Sequence, residues 1–337
     1  MEWMVMPDNV RGPLLSNGHP GQVLIMDPEG SKRTAWTDPS NLGIGGGEPP
    51  PVQESPIEFL TANRVYYVNG ETGSDLNDGL TSETAFKTIL RGISEAGKVY
   101  VSKYRVNINV APATYIAPPG GWTLPTYAPA QYFHSSGNYR AFNLLGSEEA
   151  RCILQFETPG MAPSPILNVN GSWRVGGFTF KVGGTETGIL MRRGGDLKLD
   201  AATFENIVPA TSPVGIRCEG GTFDNGGYHT FKGPQWKSLF QFIRTEVDQG
   251  SVIVNDNPTV DDAFVDVTGG YVDFRSALNE ATSTVVGKKF LARDMAVLWY
   301  RATGALPGSL PGELFGNSIY NGSATPPVLM SSSTGKK

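Results

Sequence analysis

The sequence predicts an all-β protein built as a parallel β-helix, and three observations carry that prediction. The 337-residue chain holds 42 Gly and 25 Pro, a turn density that favours many short strands over long helices. Five apolar-centred runs follow one another, at 178–181, 203–205, 230–232, 252–255 and 272–275. Aligning Phe180, Phe204, Phe231, Val254 and Phe274 gives steps of 24, 27, 23 and 20 residues, a period suited to a coil of three short strands. In such a coil one side chain of each strand points into a narrow interior, stacked on its equivalent in the next coil. The polar residues that follow each run, Lys181, Glu205, Lys232, Asn255 and Arg275, take the outward positions, with alternating sign over the first three. A second series agrees: Gly188-Ile189-Leu190 recurs as Gly215-Ile216-Arg217, and Gly194-Gly195 as Gly220-Gly221.

Taken in order, residues 1–47 hold a strand at 22–26, a Pro28-Glu29-Gly30 turn and a second run ending at Trp36. Such a hairpin is too short to bury a core of its own. Gly45 to Gly47 followed by Pro49 to Pro51 make a flexible joint and a stiff spacer, which places a linker at 48–56. A β-prone run at 65–68 leads into a polar turn with Gly70, Gly73, Asp75, Asn77, Asp78 and Gly79. Phe86, Ile89, Leu90 and Ile93 then follow a helical period, so a short helix caps the shaft. Alternation at 104–110 predicts a half-buried strand, and 142–145 and 152–156 predict two more. Between them, 117–140 reads as a long loop carrying Trp122, Tyr127, Tyr132 and Phe133, either functional or a lateral excursion from the scaffold. The shaft is assigned to 57–325, with on the order of seven or eight coils at ~24 residues each, and 326–337 to a flexible tail.

Composition narrows the function. A net charge of −5 gives no electrostatic reason to expect nucleic acid. No apolar run is long enough for membrane insertion, and the first residues lack the apolar stretch of a secretory signal, so work outside a cell would need another route, such as lysis. Cys152 and Cys218 read as small buried hydrophobes, and His19, His134 and His229 as isolated surface or loop residues. Asp75, Asn77 and Asp78 suggest a calcium loop but lack its distal Glu, so a hydrogen-bonded turn is expected, with no metal and no cofactor. Glycoside cleavage would need two carboxylates roughly 5–9.5 Å apart. Asp200, Glu205 and Asp224 are the candidates, with Glu219, Asp256, Asp261 and Asp262 behind them, and no motif singles out a pair. Glu205 is explained more simply as a partner of Lys181 or Lys232.

Tyr67, Val68, Gly73, Ser74, Asp75, Asn77, Asp78, Gly79, Leu80, Thr81, Phe86, Thr88 and Ile89 resemble the start of bacteriophage tail-fibre and tailspike proteins. In that family a Tyr-Val strand, a Gly-Ser-Asp-x-Asn-Asp-Gly-Leu-Thr turn and a Phe-x-Thr-Ile helix cap a right-handed, pectate-lyase-like parallel β-helix. The close of the chain, 311–316 and 320–322, resembles the end of short phage tail fibres. Gly21, Gln22, Val23, Leu24 and Trp36 resemble a small N-terminal attachment module. The resemblance implies a homotrimer located in the virion and made in the host cytoplasm. Residues 1–47 would anchor it to the baseplate, tail or another virion protein, and its shaft would contact bacterial surface polysaccharide. Trp122, Tyr127, Tyr132 and Trp236 would be the sugar-stacking rings. Adhesion without catalysis, depolymerisation and a purely structural role in baseplate or head all stay open, and the lack of a distinguished carboxylate pair leans against the second.

Overall fold

The computed structural model describes residues 58–101, 104–126, 140–149, 151–161, 164–249, 252–254, 257–274, 285–300, 306–322 and 328–329, with two further strands at 23–26 and 34–37. Chain contacts divide it into Met1–Ser55 and Pro56–Lys337. In the first unit Val23–Met26 and Thr34–Thr37 pair antiparallel, with Leu24 opposite Trp36.

The second unit is a parallel β-helix of about six turns. This is fewer than a constant period suggests, because the coils are unequal. Phe142 and Trp173 stand in register although they lie further apart in sequence than Leu197 and Phe223, also in register. One face is a six-stranded sheet of Ala113–Ile116, Cys152–Gln155, Phe178–Val182, Ala202–Asn206, His229–Lys232 and Val252–Val254. The other two faces are continuous in places, because Val214–Asn225, Gln235–Gln249 and Thr259–Phe274 each turn the corner between them.

The expected inward column is present on the six-stranded face. Tyr115, Leu154, Phe180, Phe204 and Phe231 are buried and follow one another in register, and the backbone of Val254 pairs with that of Phe231 on the next rung. The rings of Phe180 and Phe204 stack at 5.0 Å, and those of Phe204 and Phe231 at 5.1 Å. Such contacts add about 0.5–1.5 kcal/mol beyond the burial of the rings themselves. Phe274 does not belong to this column. The alternation at 272–274 is that of the strand Thr259–Phe274 on a different face, where Phe274 pairs with Gln249 and Tyr300. There Val247, Val272 and Leu298, all buried, are in register. A local apolar run carries no label for the face it occupies, so the last step of the repeat, from Val254 to Phe274, crosses from one face to another.

The repeated glycine pair has a steric cause. Gly220 and Gly221 turn the corner with φ of 89° and 91°, and a Cβ on Gly221 would lie 2.0 Å from the carbonyl oxygen of Gly195 in the coil before it. Arg244 occupies the same corner one coil on and adopts φ 52°.

The end of the core at the first rungs is covered by the helix Ile89–Ala96. Thr88 caps it, its hydroxyl accepting from the Arg91 amide at 3.2 Å. The helix buries Ile89, Gly92, Ile93 and Ala96. Gly92 lets it approach the first rungs, since a Cβ there would lie 2.9 Å from Ile108 and 3.2 Å from Val68.

Cys152 and Cys218 are free thiols buried in the interior. Burial also overturns the surface assignment of His229. It opens the strand His229–Lys232 in register with Ala202, is fully enclosed, and neither ring nitrogen has a hydrogen-bond partner among the described residues. Desolvation pushes its pKa down to about 3.

Two outcomes follow from this core. Phe204→Ala removes the middle ring of the stack and should lower stability by about 3–5 kcal/mol in denaturant titrations. His229 is neutral in the fold, with a pKa below that of the unfolded chain, so its contribution is intact above about pH 6.5 and is lost as pH falls toward 3. The stability should drop by roughly 2 kcal/mol from this residue between pH 7 and 5, and His229→Leu should remove that part of the slope.

Candidate functional site

The alternation that fills the interior also orders the outside of the six-stranded face. In Phe178–Val182 the side chains of Phe178, Phe180 and Val182 are fully buried, and Thr179 and Lys181 point out between them. Ala202–Asn206 turns Thr203 and Glu205 outward, and His229–Lys232 turns Thr230 and Lys232 outward. Parallel register stacks these into two columns. One runs Thr114, Ile153, Thr179, Thr203, Thr230, and the other Ile116, Gln155, Lys181, Glu205, Lys232.

A loop before Cys152 brings Glu149 against the threonine column. Thr203 Oγ1 donates to Glu149 Oε1 at 2.6 Å, and Thr179 Oγ1 donates to the Glu149 carbonyl oxygen at 2.9 Å. Glu149, Ile153, Thr179, Lys181, Thr203, Glu205 and Lys232 together line a groove of about 330 Å³. Glu149 was not singled out by sequence, because it lies in a loop without a motif and reaches the site only through the register of two distant strands.

Lys181, Glu205 and Lys232 are in register as the alternating ladder expects. Among the described residues, however, no ion pair within 4.0 Å joins them. A half-exposed pair of long side chains gains only roughly 0–1 kcal/mol against its loss of rotamer freedom.

The other two carboxylate candidates lie on a different face, where they are engaged in ion pairs. Asp200 accepts from Arg174 Nε. Asp224 stands 3.5 Å from Lys198 Nζ and 4.0 Å from Arg140, which also holds Asp196 at 2.7 Å. Asp200, Glu205 and Asp224 therefore do not converge on one site. Glu219 pairs with Arg217 at 2.7 Å, Asp261 accepts from Gln235 Nε2 at 3.1 Å and from Ser212, and Asp256 lies outside the described residues. Burial pushes the Asp266 carboxyl above its ordinary range, opposed by the Arg293 guanidinium at 3.5 Å, but Asp266 is remote from the groove in strand order.

The aromatic candidates divide. Trp122 and Trp236 are 4% and 0% exposed and belong to the core, so neither offers a ring face to a sugar. Trp122 and Leu124 are the inward residues of Trp122–Leu124, Trp122 is in register with Leu167, and Trp236 packs edge-on against Phe231 at 5.7 Å. Neighbouring Pro and Gly gave both tryptophans a loop-like context. Tyr127 and Tyr132 lie outside the described residues. So do Gly21 and Gln22, while Val23, Leu24 and Trp36 fall within the N-terminal hairpin.

The Gly73–Gly79 turn spends its polar groups internally. Asp75 Oδ1 accepts from the amides of Lys87 and Thr88, each at 2.9 Å, and its Oδ2 from Thr88 Oγ1 at 2.9 Å. Asn77 donates to the Ala85 carbonyl oxygen at 3.0 Å, and Asp78 accepts from the Leu80 amide at 3.0 Å and Thr84 Oγ1 at 2.6 Å. These bonds hold the Asp78 carboxyl below its ordinary range. The turn is thereby tied to the start of the helix. Among the described residues no group of three or more His, Cys, Asp or Glu could hold a metal ion.

Comparison of the chain with family models, with curated proteins and with solved structures finds no match.

Asp75→Ala removes three bonds to the start of the helix and should destabilise it by about 1–3 kcal/mol. Faster amide exchange across Ile89–Ala96 would report the loss, and calcium or a chelator should leave the unfolding midpoint of the unsubstituted protein unchanged.

Proposed function

We propose that this protein is a trimeric virion fibre of the phage tail-fibre and tailspike type, whose shaft holds bacterial surface polysaccharide without cleaving it. The observation that carries the reading is a parallel β-helix whose outer face bears a polar groove in which Lys181, Glu205 and Lys232 form no ion pair among the described residues. The cap residues from Tyr67 to Ile89 that resemble the phage family support the same assignment. A sugar polymer presents hydroxyls and, in many cases, carboxylates, and a groove of Thr, Lys and Glu offers partners for both. Three shafts in one fibre turn modest single-site affinity into firm attachment by avidity. Residues 1–47 serve as the anchor to the virion, at the tail, the baseplate or another surface structure.

Depolymerisation is the second reading, favoured by one feature: Glu149 and Glu205 line the same groove. Against it, Asp200 and Asp224 are spent in ion pairs on another face, and Glu149 is already hydrogen-bonded to Thr203.

Purified full-length protein incubated with capsule and lipopolysaccharide from a panel of bacteria separates these readings. A trimeric native mass, retention of at least one polysaccharide and unchanged chain length are the expected results. Shortened chains, lost in Glu205→Gln, would replace adhesion with hydrolysis. Failure to retain any polysaccharide would leave a structural role alone.

A further inference from the structure

We propose that the groove on the six-stranded face binds an acidic polysaccharide in which a carboxylated sugar alternates with an uncharged one, lying along the shaft axis across the strands. This rests on the glycan-attachment reading above and specifies the ligand for it.

The spacing is set by backbone register. Lys181, Glu205 and Lys232 occupy equivalent positions on three consecutive rungs. Rungs of a sheet repeat at about 4.8 Å, so the two lysines emerge about 9.6 Å apart, with a carboxylate midway between them. That separation is on the order of one disaccharide unit of an extended glycan. A polymer with one carboxylate per disaccharide places successive negative charges over Lys181 and Lys232. The uncharged sugar between them then lies over Glu205, which accepts hydrogen bonds from its hydroxyls.

The remaining groups fit the same ligand. All three charged side chains are half-buried, so their partners are partly shielded from solvent, and none is within 4.0 Å of another as an ion pair among the described residues. Thr179 and Thr203 run beside them along the same axis, and Thr203 holds Glu149 in place as one wall. Glu205 also sets a limit. A polymer charged at every sugar would bring a carboxylate onto it, a like-charge contact that opposes binding. An uncharged polymer would gain hydrogen bonds but no charge pairing from the two ammonium groups.

Immobilised hyaluronan oligosaccharides, with a uronate at every second sugar, supply the probe, set against polygalacturonate, charged at every sugar, and uncharged dextran. Full-length protein should be retained on hyaluronan at least fivefold more strongly than on either alternative, and added salt should weaken that retention. Lys181→Gln and Lys232→Gln should each weaken it about fivefold, the size of one partly exposed ion pair. Glu205→Gln should raise retention on polygalacturonate. These side chains face outward, so unfolding midpoints should stay close to those of the unsubstituted protein, and the polymer preference and salt response need no substitution at all. Equal retention on hyaluronan and dextran, or lysine variants that bind as before, would overturn the proposal. Retention of a bacterial polysaccharide with no preference among the probes and no lysine effect would refute this ligand and leave glycan attachment standing. Failure to retain any bacterial polysaccharide would defeat the attachment reading itself.

Discussion

The interior of this shaft is organised by vertical identity: whatever side chain one coil points inward must meet the side chain that the next coil points inward at the same register. Phe180, Phe204 and Phe231 show the constraint at its tightest, with ring planes within 10° and 15° of parallel. A parallel sheet has no tolerance for a one-residue slip, because each slip would exchange the inward and outward sets. The constraint therefore extends beyond the rings to the corners, which must return the chain to the same phase after each turn. Gly221 against the Gly195 carbonyl oxygen is one such corner, where both the positive φ and the close approach demand glycine.

Outer columns are the unavoidable counterpart of inner ones. Once Phe204 is fixed inward, Thr203 and Glu205 must face out, and register aligns them with Thr179, Lys181, Thr230 and Lys232. The faces differ in what they do with the charges so aligned. On the face carrying Arg174, Lys198 and Asp224 in register, bonds across rungs engage Asp196, Asp200 and Asp224, and the Lys198 side chain is only 6% exposed. On the six-stranded face Lys181, Glu205 and Lys232 are stacked with similar regularity and form no ion pair among the described residues. The first pattern stiffens the shaft. The second leaves free energy for a partner to collect.

Much of this was legible in the sequence because periodicity is a property of spacing. The coil repeat, the Lys–Glu–Lys column, the doubled glycines and the capping turn could all be read from intervals and residue types. What could not be read was any fact that depends on which face an interval lands on. Phe274 has the right alternation but sits on another face, and Trp122 and Trp236 stand beside loop-forming residues yet turn inward. His229 was hidden for the same reason, since a polar residue at the head of an apolar strand reads as exposed until its register with Ala202 is known. Glu149 comes from outside the repeat altogether. Its place is decided by hydroxyls on two strands far along the chain, an arrangement with no local signature.

The position of the groove along the shaft bears on how well it can recognise a repeating ligand. Its strand-borne charges, Lys181, Glu205 and Lys232, come from the third, fourth and fifth strands of the six-stranded face, with further rungs on either side. The cap formed by Ile89–Ala96 packs against Val68 and Ile108, at the first rungs, and closes the end of the core there. The spacing from Lys181 to Lys232 is fixed by backbone pairing rather than by loop conformation. A ligand with a matching repeat meets a site already set to its period and loses little free energy to ordering the protein. Where such a repeat is absent, the same rigidity works against binding, because the rungs cannot move to meet a charge that falls between them.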